Sequence, residues 1–122
     1  GGADLWLNTP RKPREACGTS WISAMMNCAL VMSSRDGGVI EAISEENGFL
    51  FGVDYPYQDE GEQNAKDFLD LKQCLSLAMD IFYQDKEKWY QMALKAKKKA
   101  TEEFSSEKML EKYCLSLYEY YK

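Results

Sequence analysis

The stretch ALVMSSRDGG, residues 29–38, is a short apolar run followed by two serines and a glycine-rich turn. Such a run, bounded by turn residues, predicts a buried strand of a parallel sheet. A short helical turn around Val39 to Ser44 comes next, and Asn47-Gly48 then leads into another apolar run, Phe49-Leu50-Phe51. Strand, helical turn and strand in this order indicate an α/β fold.

The residues before this stretch extend the pattern towards the N-terminus. Ala3 to Leu7 is apolar in alternation and stops at Asn8-Thr9-Pro10, which predicts a short strand ending in a turn. Arg11 to Cys17 is polar and predicts a loop, after which Gly18-Thr19-Ser20 opens a helix from Trp21 to Cys28. Because parallel strands end at the same edge of a sheet, we expect the loops after the first two strands to meet there.

The second half of the chain predicts helices. We expect a single domain, with an α/β half at residues 1–52, an acidic surface loop at 53–63 and a helical half at 64–122. Apolar residues recur at helical spacing in three groups. They are Phe68, Leu71, Leu75, Leu77, Ala78, Ile81 and Phe82; Trp89, Met92, Ala93, Ala96 and Ala100; and Met109, Leu110, Tyr113, Leu117 and Tyr120.

These apolar faces are expected to pack against the sheet and one another, and partner binding is the alternative. Faces left uncovered by a missing domain could also drive self-association, which is a hypothesis to be tested by sizing.

The composition argues against several classes of function. A net charge of -5 provides no general attraction to nucleic acids or anionic membranes, and the basic run Lys95 to Lys99 is expected to be a solvated helix face. The chain contains no histidine, which excludes serine-histidine and cysteine-histidine mechanisms within it. No apolar run approaches the length of a membrane span and no signal-peptide pattern opens the chain, so a cytoplasmic location is expected.

The four cysteines, Cys17, Cys28, Cys74 and Cys114, are widely spaced and form no C-x-x-C pair. We therefore expect reduced structural thiols and no metal site. A nucleophilic Cys17 or Cys28 is the alternative, although no activating base is evident for either thiol.

Candidate binding residues lie in the first half. Gly18-Thr19-Ser20 at a helix start would direct backbone N–H groups at a phosphate or at sugar hydroxyls, although an ordinary helix cap has the same sequence. Glu15 could accept hydrogen bonds from two sugar hydroxyls, or it could be a surface acid beside Arg14. Asp36-Gly37-Gly38, followed by Glu41, forms a second candidate loop, which a simple turn explains nearly as well.

From Asp4 to Gly52 the chain resembles the C-terminal domain of α-glucan phosphorylases, which act on glycogen, starch and maltodextrin. The matching segments are DLWLNTP (4–10), REACGTSWISAMMN (14–27), SRDGGVIE (34–41) and EENGFLFG (45–52). Their order and spacing agree with the family pattern. Less distinctively, FYQD (82–85) with Trp89 and EFSSEKMLEKY (103–113) are similar to the closing helices of these enzymes.

This resemblance implies a partial Rossmann-like C-terminal domain of a GT-B glycosyltransferase, in which two such domains close over a cleft. It implies glucosyl transfer between an α-1,4-glucan and phosphate, with an α-glucan or glucose phosphate as the ligand. The N-terminal domain, or a partner chain in its place, would complete the cleft, so we expect the chain alone to be inactive.

The resemblance also implies roles for individual residues. Glu15 would bind a hydroxyl of the transferred glucose, and Cys17 and Gly18 would offer backbone N–H groups to that sugar. Thr19 and Ser20 would contact the phosphate of pyridoxal phosphate, the cofactor of the family. No residue of this chain is assigned a catalytic role.

Position 23 departs from the family pattern. The family lysine that forms a Schiff base with pyridoxal phosphate falls on Ser23, and no lysine lies between Lys12 and Lys66. A serine cannot form an imine, so we expect no covalently held cofactor. Retaining nucleotide-sugar transferases of the same fold have a GGxxE turn similar to residues 37–41, but their second glutamate would also fall on position 23.

Two cysteines depart from the pattern as well. Cys17 replaces the usual serine of the EASGT segment, and Cys28 replaces the usual glycine after the helix, which suggests altered packing between helix and strand. Besides the phosphorylase-like hypothesis, two others remain open. The chain could be a non-catalytic glucan-binding or regulatory module, or a nucleotide-sugar transferase domain similar to glycogen synthase.

Overall fold

The computed structural model describes residues 2–15, 17–53 and 59–118. Within these ranges the chain forms three short strands in its first half and long helices in its second half, which confirms the expected α/β, partial Rossmann-like fold. The elements are β1 (Leu5–Asn8), α1 (Ser20–Met26), β2 (Leu30–Ser34), α2 (Val39–Ala42), β3 (Gly48–Phe51), α3 (Glu60–Gln84), α4 (Lys86–Phe104) and α5 (Ser106–Tyr113), followed by a π-helical segment at Cys114–Tyr118.

The sheet of the described residues is parallel and has the order β1-β2-β3. Leu5 pairs with Leu30 across β1 and β2, and Val31 pairs with Gly48 across β2 and β3. All five residues of β2 are buried, as the apolar run predicts for a central strand. Because all strands run the same way, the loops that follow β1 and β2 lie at one edge of the sheet.

The hydrophobic core lies between the sheet, α1 and α4. Trp21 of α1 packs edge-on against Phe104 at the end of α4, with 5.4 Å between ring centroids. Trp89, near the start of α4, packs against Phe82 at 5.1 Å and lies 6.1 Å from Phe49 of β3. The buried residues of α4 are those that the helical spacing predicts, namely Trp89, Met92, Ala93, Ala96 and Ala100.

The packing prediction is wrong for α5 and for much of α3. Phe68 and Leu77 of α3 are 60% and 53% exposed, although Ala78 and Ile81 of the same helix are buried as predicted. None of the residues Ser106–Tyr113 is buried, and Leu117 is also exposed; Tyr120 lies outside the described residues. Helical spacing identifies an apolar face but cannot show whether another element covers it. Among the described residues, α5 packs mainly against α4 and the segment Cys114–Tyr118, which adjoin it in the chain.

The acidic loop ends earlier than predicted. Helix α3 begins at Glu60 rather than at residue 64, and residues 54–58 of the predicted loop lie outside the described part of the chain. The side chain of Asp59 caps the helix by accepting a hydrogen bond from the backbone N–H of Glu62 at 2.7 Å. Aspartate followed three residues later by glutamate is the sequence signature of a helix start, and it marks the correct boundary.

None of the helices in the described ranges is long and apolar enough to cross a membrane.

Candidate functional site

The loop between β1 and α1 carries Glu15 and meets the loop that follows β2. The backbone N–H of Glu15 donates a hydrogen bond to Oδ2 of Asp36 at 3.0 Å. Asp36 is only 7% exposed, so this hydrogen bond to a carboxylate is partly shielded from water and holds the backbone at Glu15. The two candidate loops therefore lie side by side, as the parallel sheet predicts.

The first part of the same loop is tied to the ends of β1 and β2. The amide of Asn8 donates to the hydroxyl of Ser33 at 3.0 Å, and the hydroxyl of Ser34 donates to the carbonyl of Pro10 at 2.6 Å. Ser33 and Ser34 are both buried. The two serines that close the apolar run thus connect the strand to the loop that carries the candidate site.

The start of α3 holds the loop from the other side. The buried amide of Gln63 donates to the carbonyl of Lys12 at 3.3 Å. Glu60 forms ion pairs with Arg14 at 2.7 Å and with Arg11 at 3.1 Å. These ion pairs are exposed and contribute little to stability, so the partly buried hydrogen bond of Gln63 is the firmer connection.

Gly18 allows the Glu15 side chain to lie against the start of α1. A Cβ atom built on Gly18 would collide with the carboxylate oxygen Oε1 of Glu15. A residue with a Cβ would displace the flexible end of the Glu15 side chain, whereas glycine leaves this space to the carboxylate. The glycine of the EACGT segment therefore allows the Glu15 carboxylate to lie beside the backbone that precedes α1.

The other predicted binding residues follow Glu15 along the chain, and those that carry side chains are open to solvent. Thr19 is the N-cap residue of α1, but its side chain makes no capping hydrogen bond among the described residues. The hydrogen bond that an ordinary side-chain cap of α1 would require is therefore not formed by Thr19. Cys17, Thr19 and Ser20 are exposed, so their groups are accessible to a ligand, and their roles in binding stay predictions.

Ser23 lies one turn into α1 and is exposed. Its backbone N–H donates to the carbonyl of Thr19 at 3.1 Å, and its own carbonyl accepts from the side chain of Asn27 at 2.8 Å. The helix thus presents a hydroxyl at the position where the family has an amine. A hydroxyl does not fit the covalent attachment of pyridoxal phosphate.

The second candidate loop has structural roles that its sequence explains. Gly37 adopts a positive φ of 57°, which favours glycine, and Asp36 supports Glu15. Glu41 is exposed on α2, and its carbonyl accepts a hydrogen bond from Lys99 at 3.0 Å. The position of Asp36 at the end of a strand indicated this residue in the sequence. No sequence signal pointed to Gln63, which supports the loop that carries Glu15.

Cys28 stands where the family has a glycine, and this replacement suggested altered packing between helix and strand. In the structure its effect lies in the backbone conformation. Its side chain is exposed and its φ is 62°. Its N–H donates to the carbonyl of Met25 at 3.1 Å, and the N–H of Ala29 donates to the carbonyl of Ala24 at 3.0 Å. This pair of hydrogen bonds is the Schellman motif, in which the residue at the Cys28 position is usually glycine.

The cysteines carry free thiols: Cys17, Cys28 and Cys114 are exposed and Cys74 is half-buried. Burial, and then the nearby Asp70 carboxylate, raise the pKa of the Cys74 thiol above its usual value. Among the described residues, no cluster of His, Cys, Asp and Glu side chains could hold a metal ion.

Fold and site together define a partial Rossmann-like α/β domain with a candidate sugar-binding loop at the carboxyl edge of its sheet. The chain is 37% identical to the glycogen phosphorylase of Aquifex aeolicus over 123 residues, which covers 96% of this chain and 17% of that enzyme. It is 30% identical to the maltodextrin phosphorylase of Thermococcus litoralis, covering 96% of this chain and 14% of that enzyme.

A shorter match has higher identity. The glycogen phosphorylase of Mycobacterium tuberculosis is 48% identical over 48 residues, or 39% of this chain. No family model matches the chain. The chain resembles a domain of an α-glucan phosphorylase across nearly its whole length, and it spans only 14 to 17% of the first two relatives.

Proposed function

We propose that this chain is the sugar-binding part of the C-terminal domain of an α-glucan phosphorylase-like glycosyltransferase of the GT-B type. The ligand would be the terminal glucosyl unit of an α-1,4-glucan, or glucose phosphate. The observation that carries the proposal is the placement of Glu15, whose backbone is held by Asp36 and whose carboxylate lies in the space left by Gly18.

The geometry supports a division of roles within the loop. The Glu15 carboxylate would accept hydrogen bonds from glucose hydroxyls, and the backbone N–H groups of Cys17 and Gly18 would donate to the sugar. Thr19 and Ser20 would contact a phosphate group at the start of α1. All of these groups bind and orient the ligand, and none of them performs a bond-breaking step.

Ser23 restricts the proposal to binding. Pyridoxal phosphate would supply its phosphate group to phosphorolysis when bound in a family member, but this chain lacks the amine that holds it covalently. Catalysis would need residues from outside these 122 positions, in a further domain or a partner chain. The cytoplasmic location expected from the composition stays a prediction.

The absence of the lysine favours a second candidate function, a non-catalytic glucan-binding or regulatory module. Such a module would keep the Glu15 loop for a glucan end and would have no requirement for phosphate. The two functions differ in their expected ligands, because only the phosphorylase-like function calls for recognition of glucose 1-phosphate.

Binding assays on the chain and its Glu15→Gln variant test the proposal. We expect glucose 1-phosphate to raise the melting temperature of the parent chain. Hydrogen bonds to a charged group contribute about 1.5–3 kcal/mol, so Glu15→Gln should weaken binding roughly tenfold or more. Glu107→Gln, which changes an exposed acid on α5, is the matched control and should bind as the parent does.

The pattern of ligands decides between the candidates. Stabilisation by maltooligosaccharide without glucose 1-phosphate supports the glucan-binding module, and stabilisation by UDP-glucose alone supports a nucleotide-sugar transferase domain. Equal affinity of the parent and Glu15→Gln for every ligand would contradict a sugar site at this loop.

A further inference from the structure

A concave site whose lining is separate from the Glu15 loop lies along β3. It is a cavity of about 580 Å³ between β3, α2 and the facing sides of α3 and α4. None of Glu15, Cys17, Gly18, Thr19 and Ser20 lines it. Its volume falls within the range of cavities that hold small organic ligands.

The walls of this β3 cavity are largely apolar. Buried side chains form its floor, and two exposed ones extend its rim: Ile40 is 41% and Leu77 is 53% exposed. The apolar lining side chains are Ile40, Ile43, Phe49, Leu50, Leu77, Ile81 and Met92. A ligand that removes these exposed apolar groups from water is bound more favourably, because the burial of apolar area lowers the free energy of the complex.

Two cations also line the cavity. Nε of Arg35 donates to the carbonyl of Gly52 at 3.0 Å, which fixes the guanidinium at the wall. Lys88 lies in the first turn of α4 and is exposed, and Glu45 is an exposed carboxylate of the lining. Within residues 2–15, 17–53 and 59–118, neither Arg35 nor Lys88 forms an ion pair.

We propose that the β3 cavity binds an organic monoanion with an apolar body, of the class of alkyl carboxylates. The alkyl chain would lie on the apolar wall, and the carboxylate would be bound between Arg35 and Lys88. The two lining cations exceed the single lining carboxylate, Glu45. The Asp70 carboxylate near Cys74 does not line the cavity, and it accepts a hydrogen bond from the backbone N–H of Gly52 at 2.6 Å. The lining charge therefore complements an anion better than a cation. The fixed guanidinium can bind the two carboxylate oxygens, and the more mobile Lys88 supplies a second positive charge.

Cys74 provides a reporter inside the cavity. It lines the wall, and its thiol lies 3.5 Å from the carbonyl of Leu50. The other three thiols are exposed and can be removed by Cys17→Ser, Cys28→Gly and Cys114→Ser. Because burial raises the pKa of Cys74, alkylation should be followed at mildly alkaline pH, where the thiolate is more abundant.

The experiment measures the rate of Cys74 alkylation with and without decanoate, below its micelle concentration. We expect saturating decanoate to slow the alkylation at least fivefold. The uncharged 1-decanol has the same chain and should protect far less. Lys88→Met should weaken the protection by decanoate severalfold, whereas Lys97→Met, which removes an exposed charge from the same helix outside the cavity, should leave it unchanged.

Three outcomes would overturn the proposal. Equal protection by decanoate and decanol would mean that the cavity selects no charge. An equal effect of Lys88→Met and Lys97→Met would mean that the anion is not bound at Lys88. Unchanged or faster alkylation in decanoate would mean that no ligand of this class occupies the cavity. Sugar binding at Glu15 is a separate measurement, so the two proposals can fail independently.

Discussion

Cys28 is the residue at which the sequence and the backbone conformation disagree most clearly. It is the only non-glycine residue with a positive φ in the described part of the chain. A residue with a Cβ costs roughly 1–2 kcal/mol in this conformation relative to its preferred regions. The two Schellman hydrogen bonds show that α1 still ends in the usual way despite this cost.

We expect Cys28→Gly to stabilise the fold by about 1 kcal/mol, since glycine adopts a positive φ without steric strain. Urea unfolding monitored by tryptophan fluorescence measures the change in the free energy of unfolding. Cys28→Ala removes the thiol but keeps a Cβ, so it should give no comparable gain. An equal gain from alanine would assign the effect to the thiol and not to the backbone.

Ser23 carries the second prediction at this scale. Ser23→Lys restores an amine at an exposed position of α1, four residues after Thr19. We expect pyridoxal phosphate to form an imine with this variant beyond the background of the other surface lysines, visible as an added absorption band. Ser76→Lys places the same amine on an exposed position of α3 and is the control. An equal band in both variants would mean that the Glu15 loop does not bind the cofactor.

At the scale of the elements, the first half follows from the sequence more closely than the second. The apolar run at Leu30 to Met32 and the glycines after it mark a central strand and its turn, and these signals are local. The covering of α3 and α5 depends on other elements, so spacing alone could not predict it. The candidate site shows the same division, because Glu15 is visible in the sequence but its support by Gln63 arises only from the fold.

Two methionines test this contrast between covered and uncovered helices. Met92 of α4 is 4% exposed and Met109 of α5 is 48% exposed. We expect Met92→Ala to lower the free energy of unfolding by about 2–5 kcal/mol, because it leaves a cavity in the core. Met109→Ala makes the same chemical change on an open face and should stay within about 0.5 kcal/mol. A comparable loss for Met109→Ala would mean that α5 is covered in solution.

The exposed apolar faces of α3 and α5 bear on whether the molecule associates with itself. Phe68, Leu69 and Tyr83 of α3 are 60%, 59% and 72% exposed, and Leu110 of α5 is 62% exposed. Where large exposed apolar side chains adjoin, they favour contact with other protein. The chain spans 14 to 17% of the length of the two phosphorylases that it matches over 96% of its own length.

We therefore expect the isolated chain to self-associate, since burying these side chains between copies removes apolar area from water. Sedimentation velocity over a concentration series should show a rising average mass. Leu69→Lys should reduce the association by placing a charge on the exposed face of α3, whereas Gln73→Lys adds the same charge one turn further without removing an apolar group. If both variants lower the association equally, net charge and not the apolar face controls it, and a monomer at every concentration would show that these faces do not bind each other.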